Sequence, residues 1–303
     1  FPTEELTIVS SVSSRVGIIE GKIHKTFDVP EAVKFLRLAQ SSDGSFGGAL
    51  YTDWAAIALA KAPDFDLSSL KTYMSMNDLA DGLPITDYER RAMSLEALGI
   101  DPSSGTKIDY IQKIIDGFDG KQFGEKDLYN DDIFAVIPLR HAGYLETDPE
   151  IKAVVAFIIS KQSSDGSWDG VDLTAAAIQA LSLTPNIASV PEAISKARTF
   201  LKNFQKEGGG FGSYMSTSWA VGAINALGEP LESWDVDDFN PNDALFFSQS
   251  TDGGVGVFPT EISTRIWGTS YAIPSALGLS WNSILADFKK PEVIDLKPAP
   301  KSF

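Results

Sequence analysis

The sequence predicts an all-α protein in which twelve helices form two concentric rings, an (α/α)6 toroid. Three observations predict it. A glutamine–glycine–aromatic phrase recurs along the chain, a helix-like segment precedes each copy, and a second, more apolar helix-like segment follows it. Six such helix–Gly turn–helix units of roughly 35–50 residues have the period of a stacked or closed helical array.

The recurring phrase is clearest in four places. It reads QSSDGSFGG at 40–48, QSSDGSWDG at 162–170, QKEGGGFG at 205–212 and QSTDGGVG at 249–256, with weaker copies at 119–124 and 77–82. We expect the glutamine amide to bind free backbone groups at the end of the outer helix. The Asp-Gly or Gly-Gly pair should reverse the chain, and the aromatic residue should fill the seam between units.

The segments that follow the phrase predict the inner ring. They are rich in alanine and small residues, and a helix that is apolar nearly all round is buried. The segments that precede the phrase carry polar residues on one face and predict the outer ring. The inner segments begin near residues 53, 87, 131, 172, 216 and 267, and the Asp, Ser or Thr near most of these starts is expected to be a helix cap.

The repeats occupy residues 28–287. Residues 1–27 precede them and predict an extended N-terminal arm, because the stretch 6–13 is β-branched and strand-like. Residues 288–303 are rich in Pro and Lys and predict an extended linker. We expect the two ends to serve in tethering or assembly.

Composition narrows the function. The chain has 25 Lys and Arg against 41 Asp and Glu, a net charge of −16, which argues against binding nucleic acid. No apolar run is long enough to span a bilayer. Cysteine is absent, which excludes disulfides and thiolate chemistry. This acidity and a first residue that is not Met lead us to expect an extracellular, periplasmic or cell-surface protein whose signal peptide has been removed.

The Gln-x-x-Asp-Gly-x-aromatic phrase resembles the glutamine–tryptophan repeat of squalene cyclases and related terpene cyclases. The resemblance covers roughly residues 28–285. It implies the α/α toroid that these cyclases share with protein prenyltransferase β-subunits, with the B12 carriers intrinsic factor and transcobalamin, and with thioester domains. It also implies a site in the central funnel, at the mouth formed by the inner-helix N-termini.

Eight residues are expected to line that mouth, because each lies near the start of a predicted inner helix. They are Asp53, Trp54, Asp87, Tyr88, Asp172, Trp219, Trp267 and Tyr271. Acidic and aromatic groups of this kind also suit a glycosidase, in which two carboxylates flank a sugar groove. The alternative is structural, with the aspartates as helix caps and the aromatic rings in the seams.

The resemblance implies Asp131 and Asp132 as the catalytic acid if the chain is a cyclase. Cyclases of the protonating class carry an Asp-x-Asp-Asp acid at an inner-helix start, where neighbours keep the middle Asp protonated. The chain has this motif at 235–238, but there it precedes the sixth outer helix. The position that resembles the family's acid reads YNDDIFA at 129–135 and lacks the first Asp. Family cyclases also usually carry a second barrel, for which 303 residues leave no room.

The acidic loop 235–243 is a candidate calcium site, since several oxygen ligands fall within nine residues. The candidate ligands are Asp235, Asp237, Asp238 and Asn240. The alternative is a solvated loop in which Asn240 or Asn242 caps the next helix. A prenyltransferase-type zinc site is not expected, because there is no Cys and only two His residues are present.

We therefore expect a non-catalytic toroid that binds a ligand or a protein partner at the funnel mouth. The resemblance implies an isoprenoid- or corrinoid-like small molecule as the ligand. Two alternatives stay open: a terpene cyclase- or prenyltransferase-like enzyme that acts on an isoprenoid, and a structural surface subunit that assembles through its termini.

Overall fold

The structure is a computed structural model that describes residues 17–19, 22–126, 128–256 and 260–291. It confirms the predicted all-α class. Within the described ranges, the strands are the two of a short antiparallel hairpin, β1 (Gly17–Ile19) and β2 (Lys22–His24). The predicted strand at 6–13 lies outside the described residues. No helix in the described part of the chain has the length and apolarity needed to cross a membrane.

The helices alternate between two layers. The inner helices are α2 (Ala49–Leu59), α4 (Ile85–Ala97), α6 (Tyr129–His141), α8 (Val171–Ser182), α10 (Tyr214–Ala226) and α12 (Ile262–Ala276). The outer helices are α1 (Val29–Ala39), α3 (Ser68–Met76), α5 (Tyr110–Asp116), α7 (Pro149–Ser160), α9 (Val190–Phe204) and α11 (Pro241–Ser248). A 3-10 turn (Leu231–Trp234) precedes α11, and a short helix α13 (Trp281–Ile284) follows α12.

The inner helices form a closed ring. Each inner helix packs against the next one in chain order, and α12 packs against α2 to complete the circle. Helices α5, α7, α9 and α11 each pack on the inner helix that precedes them, and α1 packs on α12. The predicted (α/α)6 toroid is therefore confirmed.

The two layers differ in how their surfaces are buried. Helix α1 buries a single apolar stripe that includes Val33 and Leu36, and it keeps its charges on the other side. Helix α2 is buried at every position from Thr52 to Leu59. A helix with an apolar surface all round can only be stable when other helices surround it, which explains why the alanine-rich segments occupy the inner ring.

The glutamine of the recurring phrase joins neighbouring units, as predicted. The Nε2 group of Gln162 donates to Gly166 O in its own turn and to Ala193 O of α9, both at 2.9 Å. A side chain that satisfies carbonyls of two consecutive outer units fixes their spacing. The same pair of bonds is made by Gln205 to Gly209 O and Trp234 O, and by Gln249 to Gly253 O and Asp28 O.

The turn glycine and the aromatic residue close the seam between units. Gly166 has a φ of 93°, and its α-carbon lies so near the Lys196 carbonyl of α9 that a Cβ would overlap it. Trp168 is fully buried, and its indole N–H donates to Ile158 O at 2.8 Å. The predicted chain reversal is confirmed by the Gly166 N–H, which donates to Ser163 O, and the predicted seam packing is seen at Phe211, whose ring lies 6.2 Å from Trp234 of the next unit.

The inner helices begin before the aspartates that were predicted to cap them, so that prediction is wrong. Helix α2 begins four residues before Asp53, and α4 begins two residues before Asp87. The residues at the N-cap positions of α2, α4, α6 and α8 make no side-chain cap hydrogen bond; they are Gly48, Pro84, Leu128 and Gly170. The aspartates instead lie inside the helices and make other contacts, whereas α10 is capped by the Ser213 side chain, which accepts the Ser216 N–H.

The first residues of the predicted C-terminal linker lie against the ring. The Phe288 N–H donates to His141 O at 2.7 Å, and Lys290 Nζ lies 2.8 Å from Asp148 Oδ2. Residues 288–291 therefore contact α6 and the start of α7. The rest of the predicted linker lies outside the described residues.

We expect Gly166→Ala to destabilise the protein more than Gly170→Ala. Both glycines have positive φ, 93° and 100°, so each alanine carries a strain of about 1 kcal/mol. Only the Cβ at Gly166 would also overlap the neighbouring outer unit, since open space surrounds Gly170. The extra loss should be about 1–3 kcal/mol in urea unfolding. Equal losses at the two sites would contradict the close approach between units.

Candidate functional site

Aromatic side chains fill the centre of the ring. The inner helices contribute Trp54, Phe134, Trp219 and Tyr271, and α13 contributes Trp281. The Trp281 ring lies 5.1 Å from Trp219, 5.5 Å from Trp54 and 5.7 Å from Phe134, centroid to centroid. The described residues leave a cavity of about 10 Å³ beside this cluster, close to the minimum for one water molecule.

Helix α13 closes the lumen from the end at which the inner helices terminate. The Trp281 N–H donates to Gln179 Oε1, and Asn282 Nδ2 donates to Gln179 O, both at 2.8 Å. Trp281 is not among the residues predicted from the sequence to line the funnel. The available signal was an aromatic residue after the glycine that ends the last inner helix, Gly278.

Tyr88 does not join the lumen aromatics, in contrast to its prediction as a funnel residue. Its hydroxyl donates to Ala80 O at 2.9 Å, and its ring lies 6.3 Å from Tyr110 of α5. The Tyr88 hydroxyl thus binds the loop that precedes α4, and the ring packs toward the outer layer.

Asp53 and Asp87 are held in ion pairs. Asp53 is completely buried, and its oxygens lie 2.7 Å from Arg91 Nε and 3.3 Å from Arg90 Nε. Arg90 also pairs with Asp87. A buried carboxylate is stable only when such charges and hydrogen bonds compensate for its lost hydration. These two predicted funnel residues therefore tie α2 to α4 and orient Arg90.

The mouth of the funnel keeps three buried polar atoms without a hydrogen-bond partner in the described part of the chain. They are Nε1 of Trp219, Nε1 of Trp267 and Oδ1 of Asp172. The two indole N–H groups lie beside the Tyr271 hydroxyl, to which each is directed without a well-aligned hydrogen bond. Trp267 is half-buried, and its ring lies 6.3 Å from Tyr51. Buried polar groups are normally paired with protein or water, so these two donors and one acceptor are suited to a bound molecule.

Asp132 occupies a position that is threonine in four other units. Its Oδ1 accepts the Phe123 N–H of the preceding loop at 2.7 Å, while its Oδ2 is buried and has no partner among the described residues. A threonine hydroxyl makes the equivalent bond elsewhere, so the fold needs only one oxygen here. The corresponding threonines are Thr52, Thr174, Thr217 and Thr269.

Glu89 completes a cluster of three carboxyl groups with Asp131 and Asp132. Glu89 is completely buried, and neither of its oxygens has a partner within the described residues. Burial raises the pKa of Glu89 well above its usual range, and the charges of Asp131 and Asp132 add to the rise. Burial also raises the pKa of Asp131, and it raises that of Asp132 to about 7. Glu89 and Asp132 are thus able to hold protons near neutral pH.

A cleft of about 530 Å³ lies beside this cluster, between the N-terminal ends of α4 and α6. Leu83 and Leu128 are 38% and 46% exposed at its edge. Asp131 lines the cleft, and its Oδ2 accepts the Glu125 N–H at 2.9 Å. The cleft thus combines an apolar edge with carboxylates.

Another buried carboxyl group lies at the opposite end of α4. Glu96 is completely buried, and neither carboxyl oxygen has a partner in the described ranges. Burial raises its pKa well above the usual range. Its backbone carbonyl accepts the Ala286 N–H at 3.2 Å, which places it under the C-terminal segment.

The acidic loop before α11 makes structural contacts. His24 Nδ1 and Asp243 Oδ2 are hydrogen-bonded at 2.7 Å, and Asn240 caps α11 as one of the two interpretations predicted. Asp237 and Asp238 have positive φ values of 50° and 69°. In the described part of the chain, no group of three His, Asp or Glu side chains is placed to hold a metal ion. Calcium binding by this loop stays a prediction.

No protein-family model matches the chain. Among curated proteins, the squalene–hopene cyclase of Zymomonas mobilis is 34% identical over 118 residues. That match covers 30% of this chain and 17% of the cyclase, so it spans a small part of that enzyme.

Solved structures share the fold. The type II terpene cyclase MstE of Scytonema, in complex with geranylgeranyl dihydroxybenzoate, has a TM-score of 0.58 at 12% identity, over 85% of this chain and 97% of MstE. Haptocorrin in complex with the corrinoid Cbi has a TM-score of 0.54 at 13% identity, over 86% of this chain and 68% of haptocorrin. The α/α toroid inferred from the repeat is therefore confirmed.

We expect Asp132→Thr to stabilise the protein above about pH 7. The folded state keeps the Asp132 proton up to about pH 7, whereas the unfolded chain releases it near pH 3.8, so wild-type stability falls as the pH rises through this window. The variant keeps the bond to Phe123 N–H and should be more stable by on the order of 4 kcal/mol above the window. Urea unfolding at about pH 4, 6 and 8 measures the difference.

Asp119→Asn is the control with the opposite sign. Backbone N–H groups of Gln122 and Lys121 lower the pKa of the exposed Asp119, so this carboxylate stabilises the fold above about pH 4 and stops doing so as the pH falls. A gain from Asp132→Thr that is the same at all three pH values would contradict a protonated Asp132.

Proposed function

We propose that the chain is a ligand-binding toroid that acts outside the cytoplasm and holds its ligand across the funnel mouth. The observation that carries this proposal is the aromatic filling of the lumen. Trp281 and the inner aromatic rings leave about 10 Å³ of space, far too little for a ligand. Entry into the lumen would require displacing a packed tryptophan, at a cost of roughly 3–5 kcal/mol, whereas the mouth is accessible without it.

The mouth favours a ligand with both hydrogen-bond donors and acceptors. The indole N–H groups of Trp219 and Trp267 make only poorly aligned contacts to the Tyr271 hydroxyl and could donate to a ligand acceptor, and Asp172 Oδ1 could accept from a ligand donor. The ring of Trp267 adds an apolar surface, as in most small-molecule sites. An amide- or hydroxyl-bearing molecule, such as the corrinoid held by haptocorrin, meets all of these requirements. The net charge of −16 supports a location outside the cytoplasm and disfavours polyanionic ligands.

A terpene cyclase-like enzyme is the second candidate, and the carboxyl cluster favours it. A general acid works best when its pKa lies near the working pH, and burial raises the pKa of Asp132 to about 7. Phe134, two residues further along α6, borders the aromatic lumen, and aromatic faces stabilise cations. This function requires Trp281 to leave the lumen, so that the substrate chain can take its place.

We expect the double variant Trp267→Ala/Asp172→Ala to lose ligand. Native mass spectrometry of the protein purified from its own host should show an excess mass that is absent from the variant. Titration with Cbi should give at least about tenfold weaker binding for the variant. Phe247→Ala, at an exposed residue of α11 away from the mouth, is the control and should bind as the wild type does. Equal ligand retention by all three proteins would contradict a site at the mouth.

The cyclase candidate predicts that Asp132→Asn abolishes turnover without loss of thermal stability, because the amide cannot donate the proton. Geranylgeranyl dihydroxybenzoate is the substrate to test, with product formation followed by mass spectrometry. Asp66→Asn serves as the control, since Asp66 is exposed and is not among the groups that shift the pKa of Asp132. Retained turnover in Asp132→Asn would rule out Asp132 as the acid.

A further inference from the structure

We propose that the cleft between α4 and α6 binds an alkylammonium ion, a cationic amine on an apolar stem such as a lysine side chain or a diamine. We call it the rim cleft; its lining includes Leu83, Ile85, Glu125, Leu128 and Asp131. The rim cleft lies between two adjacent helices of the ring, apart from the Trp267 mouth. The proposal therefore does not depend on the function proposed above.

The lining of the rim cleft matches the two ends of such a ligand. Leu83 and Leu128 expose about four-tenths of their surface at its edge, where they can cover methylene groups. Among the described residues of the lining, Asp131 and Glu125 are acidic, and Asp131 is held in place by the Glu125 N–H at 2.9 Å. Amine side chains in proteins bury their stems on apolar surface in this way while the charged head reaches polar groups.

The observation that points to a ligand is the pair of buried, unpartnered acids next to Asp131. Glu89 has two oxygens without a partner in the described residues, and Asp132 has one. The fold does not require an acid at the Asp132 position, where four other units have threonine, and a buried carboxyl without partners, such as Glu89, destabilises a protein. Groups of this kind call for an explanation outside the fold itself.

A cation in the rim cleft supplies that explanation. The charged groups that act on the three acids are Arg90 on α4, Glu125 beside Asp131 and Asp119 beside Asp132. Acids outnumber this one arginine, which is itself paired with Asp53 and Asp87. An ammonium ion at Asp131 would therefore stabilise the ionised forms of Glu89 and Asp132. Binding should then release protons, and affinity should rise with pH.

Cadaverine is the probe, with 1-pentanol as the uncharged control. Calorimetric titrations at about pH 5.5 and about pH 8, each in two buffers of different ionisation enthalpy, give both affinity and proton release. We expect at least about tenfold tighter binding at the higher pH, with protons released near pH 6. Equal affinity at both pH values, or equal binding of pentanol, would overturn the proposal.

The double variant Glu89→Gln/Asp132→Thr tests the role of the buried acids. It keeps the bond to the Phe123 N–H and removes both titrating groups, so proton release and the pH dependence should disappear. Asp131→Asn should weaken cadaverine binding at least about tenfold at the higher pH. Thermal melts verify that the variants fold. Wild-type affinity of Asp131→Asn for cadaverine would refute the site.

Two controls separate this site from general acidity and from the funnel mouth. Glu96→Gln removes an equally buried, unpartnered carboxyl from the other end of α4 and should leave cadaverine binding and its pH dependence unchanged. Trp267→Ala/Asp172→Ala should leave them unchanged as well. If Glu96→Gln loses as much pH dependence of cadaverine binding as Glu89→Gln/Asp132→Thr does, binding depends on overall charge and not on the rim cleft. If Trp267→Ala/Asp172→Ala loses affinity, cadaverine binds at the mouth. Either result overturns the proposal.

Discussion

The glutamine amide that joins one outer unit to the next, at three of the four clear copies of the phrase, is the interaction on which the closure of the toroid depends. Gln162 and Gln205 each bind a carbonyl in their own turn and one in the following unit. Gln249 does the same with Asp28, so the last unit is joined to the first and the ring is closed. The turn glycines let the backbones approach closely enough for these bonds, since a Cβ there would overlap the neighbouring carbonyl.

This outer attachment explains why the first turns of the inner helices carry polar residues that do not cap them. The loop before each inner helix is held by the recurring phrase and, in four units, by a threonine of the second turn. Asp53 is then able to pair with two arginines of α4, and Asp172 to face the mouth. These carboxylates are therefore available for contacts that they could not make if they capped the helices.

The carboxyl cluster favours acid catalysis, whereas the filled lumen favours ligand binding outside the lumen. Asp132 and Glu89 have the protonation that an acid catalyst needs, while Trp281 occupies the space that an isoprenoid substrate would need. A ligand at the mouth and a cation in the rim cleft are both compatible with a lumen that stays closed. A cyclase requires α13 to move, so the position of Trp281 distinguishes the two functions.

The sequence by itself determined the architecture, because its signals are local and repeated. The phrase, the helical spacing and the alanine-rich inner segments each span a few residues, and their recurrence predicted the toroid and the role of Gln162. Only the tertiary structure decided what fills the lumen and which acids meet. The Trp281 side chain lies 5.5 Å from Trp54, centroid to centroid, and the charge of Asp132 on α6 raises the pKa of Glu89 on α4; neither relation follows from spacing along the chain. The helix starts were misplaced because Asp53 and Asp87 lie inside their helices and bind arginines of α4, while threonine hydroxyls bind the loops before four of the inner helices.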